Sequence, residues 1–334
     1  MKKSDLQAGD IILFPPHKND FIAQAIAFLT DGEVNHAALC YPSAGELMIA
    51  ESILKDGLVL NPFAEHIEAE YPLRICRLKG CEDLKPVLEA SRKYLEEKNA
   101  YPNFNLGLLG ILLLFKKFAP PTWKNQTVYR FAVLVSYELM LLVRTHKFAG
   151  KHPMSCSQFV AQCFTDAGKE YDLKFDQMTI AFDKEVPKDQ IVHPVNANLG
   201  ISPIEMLERD DATPVAANVH FESYEKEQTM TEEEKIKLTS EFIAVAGATN
   251  KGLRATKAKE SNASDAPVPA SALNRVTMNI LRAIYELQTG RPATHPKEAI
   301  DYLKSSTARN FFVSPQDMLV NCPDSLAHIG NLSY

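Results

Sequence analysis

Between Ile11 and Leu78 the chain breaks into short apolar runs separated by turn residues, and this rhythm narrows the fold more than anything else in the sequence. Ile11-Ile12-Leu13-Phe14 follows the turn-forming Ala8-Gly9-Asp10 and is stopped by Pro15-Pro16. Val34 to Tyr41 comes next, then Leu47 to Ser52 after a turn at Pro42 to Gly45, then Leu58-Val59-Leu60 after Asp56-Gly57, and last Leu73 to Leu78. A helical pattern at Phe21, Ile22, Ala25, Ile26 and Leu29 separates the first run from the second and ends at Thr30-Asp31-Gly32. Strands this short, at hairpin spacing, predict an antiparallel sheet.

From Leu84 the period becomes helical. Leu84 to Lys98 is amphipathic and rich in Glu and Lys, whereas Leu106 to Phe115 is almost wholly apolar and Phe131 to Val143 nearly so. Neither apolar stretch reaches the roughly 18–20 residues of a spanning helix, and Lys116-Lys117 and Glu138 interrupt them. They are expected to be buried or interfacial helices, either packing on each other or walling a pocket for an apolar ligand. Two near copies, Ile201 to Leu207 and Val313 to Leu319, each begin with Ser-Pro and read as capped helix starts. Between them lie a helix over about Thr231 to Ala246, a linker-like stretch from Thr249 to Ser271, and a helix from Leu273 to Leu287. The expected architecture is α+β in 334 residues. Residues 1–220 form one domain with an apolar helical insertion over about 103–150. Residues 221–334 form a helical appendage, or a lobe inserted before a returning segment.

A net charge of −6 with no basic block argues against a nucleic-acid partner. The six cysteines form no CxxC pair and no disulfide framework, and Met1 to Asp10 lacks the apolar run of a signal peptide. A cytoplasmic location is expected, with signal-independent export as an effector left open. The nine histidines and six cysteines show no zinc spacing, so neither a metal nor another cofactor is expected.

One stretch carries chemistry. In Met154-Ser155-Cys156-Ser157-Gln158-Phe159-Val160-Ala161, Ser155 is an N-cap candidate, and Phe159, Val160, Cys163 and Phe164 follow at helical spacing. Cys156 then sits in the first helical turn, where unpaired N–H groups and the helix dipole favour a thiolate and can hold an oxyanion. The bland alternative is a small core cysteine. His36 heads an apolar strand after Asn35, and Glu51 lies on the next strand among Met48, Ile49 and Ala50. Together the three compose a nucleophile, a base and a group that orients the base. His152 is a rival base, in a loop beside Pro153, while Cys163 and Cys40 are expected to pack in the core.

The segments Leu6 to Leu13, Asn35 to Leu39, Ile49 to Ser52 with Gly57-Leu58, Tyr101 with Asn105 to Leu112, and Cys156 to Ala161 resemble circularly permuted NlpC-type papain-like cysteine hydrolases, the YiiX/YebB-like group. The similarity covers roughly residues 5–207 and extends distantly to lecithin-retinol acyltransferase-like enzymes. It implies a permuted papain-like fold, with the His strand ahead of the Cys helix, and catalytic roles for Cys156, His36 and Glu51. It implies thioester chemistry more firmly than a substrate. The expected activity is an amidase or peptidase acting on a peptide, peptidoglycan-like or N-acyl bond. A lipid acyl hydrolase or acyltransferase with peripheral membrane contact is the alternative, and a non-catalytic binding or effector module is a third reading. A protein partner for the C-terminal helical region stays unassigned.

Overall fold

A computed structural model describes residues 1–53, 57–63, 72–97, 105–118, 120–145, 153–176, 202–209, 230–252, 267–303, 310 and 312–332. The strands are β1 (Ile11–Phe14), β2 (His36–Ser43), β3 (Glu46–Ile53), β4 (Gly57–Pro62), β5 (Leu73–Leu78) and β6 (Leu326–Leu332). The first helices are α1 (Phe21–Leu29), α2 (Lys85–Glu96), α3 (Asn105–Phe115), the short α4 (Pro120–Trp123), α5 (Gln126–Thr145) and α6 (Cys156–Ala167). They are followed by α7 (Pro203–Arg209), α8 (Glu232–Gly252), α9 (Ala270–Thr289), α10 (Pro296–Leu303) and α11 (Pro315–Val320).

All strand pairings are antiparallel, as expected from the turn spacing, in the order β4-β3-β2-β1-β5-β6. The order is not that of a plain run of hairpins. β5 pairs with β1 rather than β4, and β6 closes the far side by pairing with β5 across a bulge at Ile75/Cys76. The chain's last strand therefore completes the sheet that its first strand begins.

Side chains alternate across the strands with period two. Ile11, Leu13, Ala37, Leu39 and Ala50 face one core with Val87 and Ala90 of α2 and with Phe159, Val160, Cys163 and Phe164 of α6. Ile12, Ala38, Cys40, Ile49 and Ile75 face a smaller core on the other side with Leu6, Phe63 and Leu332. Gly9 enters β1 with φ of +91°, and a Cβ there would stand 2.4 Å from Leu84 Cδ1, so this turn requires glycine.

A third core is wholly helical and joins α1, α3 and α5 to α8, α9 and α10. α3 and α5 on the one hand and α8, α9 and α10 on the other, far apart in sequence, thus share one apolar interior. Leu106 to Leu114 are buried without interruption, because α3 has α1, α5, α7 and α9 packed around it. Gly110 permits the approach: a Cβ on it would lie 2.9 Å from Leu139 Cδ1 and 3.2 Å from Ile280 Cγ2 and Ile284 Cδ1. α5 runs for 20 residues, longer than its apolar stretch suggests, and by length and composition alone could cross a membrane. Yet 44% of its most apolar window is buried in the protein, with Phe131, Leu134, Val135 and Leu139 inside the helical core. α3 is therefore used in packing throughout its apolar stretch, whereas α5 is only partly buried, with Leu141 40% exposed. Both Ser-Pro segments start helices through capping boxes, Ser202 with Glu205 and Ser314 with Asp317.

Candidate active site

The local sequence sets where α6 begins. Ser155 is extended (φ −70°, ψ 162°), its Oγ accepts from the Gln158 N–H at 3.1 Å, and its own N–H donates back to Gln158 Oε1 at 3.4 Å. Cys156 is thereby the first helical residue, and α6 lies against β2, β3 and α2. Its backbone N–H belongs to the set that a helix cannot satisfy internally, and here it donates to Asn105 Oδ1 at 3.0 Å.

The rest of the nucleophile turn is tied to distant elements. The carbonyl of Pro153 accepts from Gln288 Nε2 of α9 at 3.0 Å, and that of Met154 accepts from Ser52 Oγ of β3 at 3.2 Å. Ser157 Oγ donates to the carbonyl of Val313 at 2.6 Å. A buried carbonyl without a partner is costly, so these bonds hold the turn in one arrangement.

His36 is the first residue of β2, and its ring packs at a tilt on Phe14, with centroids 5.1 Å apart. Its Nε2 lies 2.7 Å from Glu51 Oε2, and the imidazole stands close enough to the Cys156 side chain to interact with it. With Nε2 engaged by Glu51, Nδ1 is the nitrogen left for the sulfur. The other oxygen of Glu51, Oε1, accepts from Asn61 Nδ2 of β4 at 2.9 Å. The structure thus brings Cys156, His36 and Glu51 together and adds Asn61 behind them. His152 lies outside the described residues. Cys163 and Cys40 are buried in separate cores, and burial first pushes both thiols above the usual range, Cys40 to about 12.

Burial by itself would lower the His36 pKa. The charge of Cys156, together with hydrogen bonds to Cys156 and Glu51, outweighs that effect and raises it to about 10. At neutral pH the ring is then held as an imidazolium beside Cys156 and Glu51. The Glu51 side chain is 1% exposed and the His36 side chain 16%. Cys156 itself is fully buried, so the site meets solvent on the imidazole side.

Asn61 and Gln288 are not singled out by the sequence, and Asn105 enters only as the first residue of a segment that carries the resemblance, with no role attached. The β3–β4 register places Asn61 two residues from Val59, the cross-strand partner of Glu51. Asn105 and Gln288 lie 51 and 135 residues from their partners.

No protein-family model and no curated protein matches the chain. Among solved structures, one described as the crystal structure of the metalloprotein YiiX from Escherichia coli O157:H7 is similar, with 14% identity and a TM-score of 0.33. The match covers 54% of this chain and 76% of that one. "Metalloprotein" describes that structure. Among the described residues here, no group of three or more His, Cys, Asp or Glu side chains is arranged to hold a metal ion. His36 and Glu51 are bonded to each other, and Glu51 also to Asn61.

Proposed function

We propose that the chain is a thiol hydrolase that forms an acyl-enzyme thioester at Cys156, acting on an amide bond of peptide or N-acyl type. One observation supports this reading above the others: the His36 imidazole is bonded to the Glu51 carboxylate and interacts with the Cys156 side chain. In the proposed reaction the thiolate attacks the carbonyl carbon while the positive end of the α6 dipole favours the charge that develops on the carbonyl oxygen. The C–N bond breaks as the imidazolium gives its proton to the leaving amine. Water then adds to the thioester, His36 takes its proton, and the C–S bond breaks to release the acid and restore the pair. Glu51, steadied by Asn61, keeps the ring oriented and stabilises its charge.

Amide substrates rank ahead of lipid acyl chains because the side chains of α3 are spent inside the helical core. The full burial of Cys156 favours a second reading, a binding module whose thiol is structural. Intact-protein mass spectrometry after incubation with matched acyl amides and acyl esters separates the readings. The proposal predicts a mass increase equal to the acyl group, mapped to Cys156, lost in Cys156→Ala and formed from amides at least as readily as from esters. A preference for esters that climbs with chain length supports the lipid reading instead. No adduct from any donor supports the binding module.

A further inference from the structure

The helical core reaches the nucleophile turn from two sides. On α9, Ile280, Ile284 and Gln288 stand four residues apart and so fall on one face. Ile280 and Ile284 close against Gly110 of α3, while Gln288, 4% exposed, ends the stripe with an amide that donates to the Pro153 carbonyl at 3.0 Å. An amide at a core position is expensive unless bonded, so its partner is specific. On α3, Asn105 is the first residue, and its Oδ1 takes the Cys156 N–H at 3.0 Å. One bond takes a proton donor from the turn and the other supplies one. Both originate on helices locked together by direct side-chain contact around Gly110.

We infer that Asn105 and Gln288 are positioning residues, through which the helical lobe holds the Pro153–Ser157 turn so that the Cys156 sulfur stays against His36. This rests on the thiol-hydrolase reading and gives the lobe a part in that site. The attraction between thiolate and imidazolium falls with separation, so a turn released on either side loses the pair before it loses its fold. Because the two residues hold one turn, their effects are not additive.

The test is a pH titration of thiolate ultraviolet absorbance, each protein being read as a difference against the same protein carrying Cys156→Ser. The variants are Asn105→Ala, Gln288→Met and the double substitution. Gln288→Met keeps the volume of the core, and a thermal melt of each variant reports the fold. Each single variant, still melting cooperatively, should raise the midpoint for thiolate formation by about one pH unit or more, and the double variant should exceed the larger single effect only slightly. Folded single variants that titrate like the wild type overturn the inference and leave the hydrolase reading intact. A wild type that forms no adduct at Cys156 with any acyl donor overturns both.

Discussion

At the scale of single residues, the proposed chemistry falls to a line running Asn61, Glu51, His36, Cys156. The line makes graded predictions. Cys156→Ala should abolish acylation. His36→Ala should slow it by about 10²–10⁴-fold, the usual contribution of a positioned acid–base group. Asn61→Ala leaves the ring in place but removes one hydrogen bond from a buried carboxylate, so it should cost less than His36→Ala while exceeding assay error. Acylation rates of purified, folded variants check the order, and an Asn61→Ala defect equal to that of His36→Ala would contradict it. Cys156, His36 and Glu51 were readable in the sequence because each is a polar or reactive residue in an apolar setting with a local signature. Ser155 and Gln158 form a capping box, and His36 and Glu51 sit on adjacent short strands. Asn105 and Gln288 were not, because the side chains they meet are brought together only by tertiary packing.

At the scale of elements, α3 is the test of how the lobe holds together. Residues Leu106 to Leu114 are all buried, and Gly110 sits where three helices meet. Gly110→Ala sets a helix-propensity gain of about 1 kcal/mol against contacts of 2.9 and 3.2 Å that flexible side-chain ends can relieve. Gly110→Val adds bulk that those ends cannot clear and should destabilise by about 1–3 kcal/mol. Denaturant unfolding of both variants checks this, and a Gly110→Val protein as stable as wild type would contradict the packing. The strands β1 to β5 and most helices follow from their apolar periods. β6 does not, since Leu326-Ala-His-Ile-Gly-Asn-Leu332 mixes polar residues and glycine and becomes a strand through its pairing with β5. The sheet order escaped local reading for the same reason: nothing near β5 says that its partner is β1.

At the scale of the whole molecule, the chain's two ends meet in one sheet, and its middle and C-terminal helices share one core. The segment from Ser314 to Leu332 supplies α11 and β6, and Val313 just before it bonds Ser157 beside the nucleophile. A chain truncated after residue 312 should therefore lose cooperative melting and acylation together, because β5 is left with an open edge. A truncated protein that keeps both would contradict the account.

The electrostatic state of His36 tests the central claim most directly. Its pKa is raised from 6.5 to about 10, so the protonated ring stabilises the folded state fully below about pH 6.5, and that contribution is lost as pH rises toward 10. The measurement is a nitrogen NMR titration of the His36 ring in the wild type and in Cys156→Ala. The account predicts a doubly protonated ring through neutral pH in the wild type, titrating near 10, and a clear downward move once the sulfur is removed. A ring that titrates near 6.5 in both proteins would contradict it.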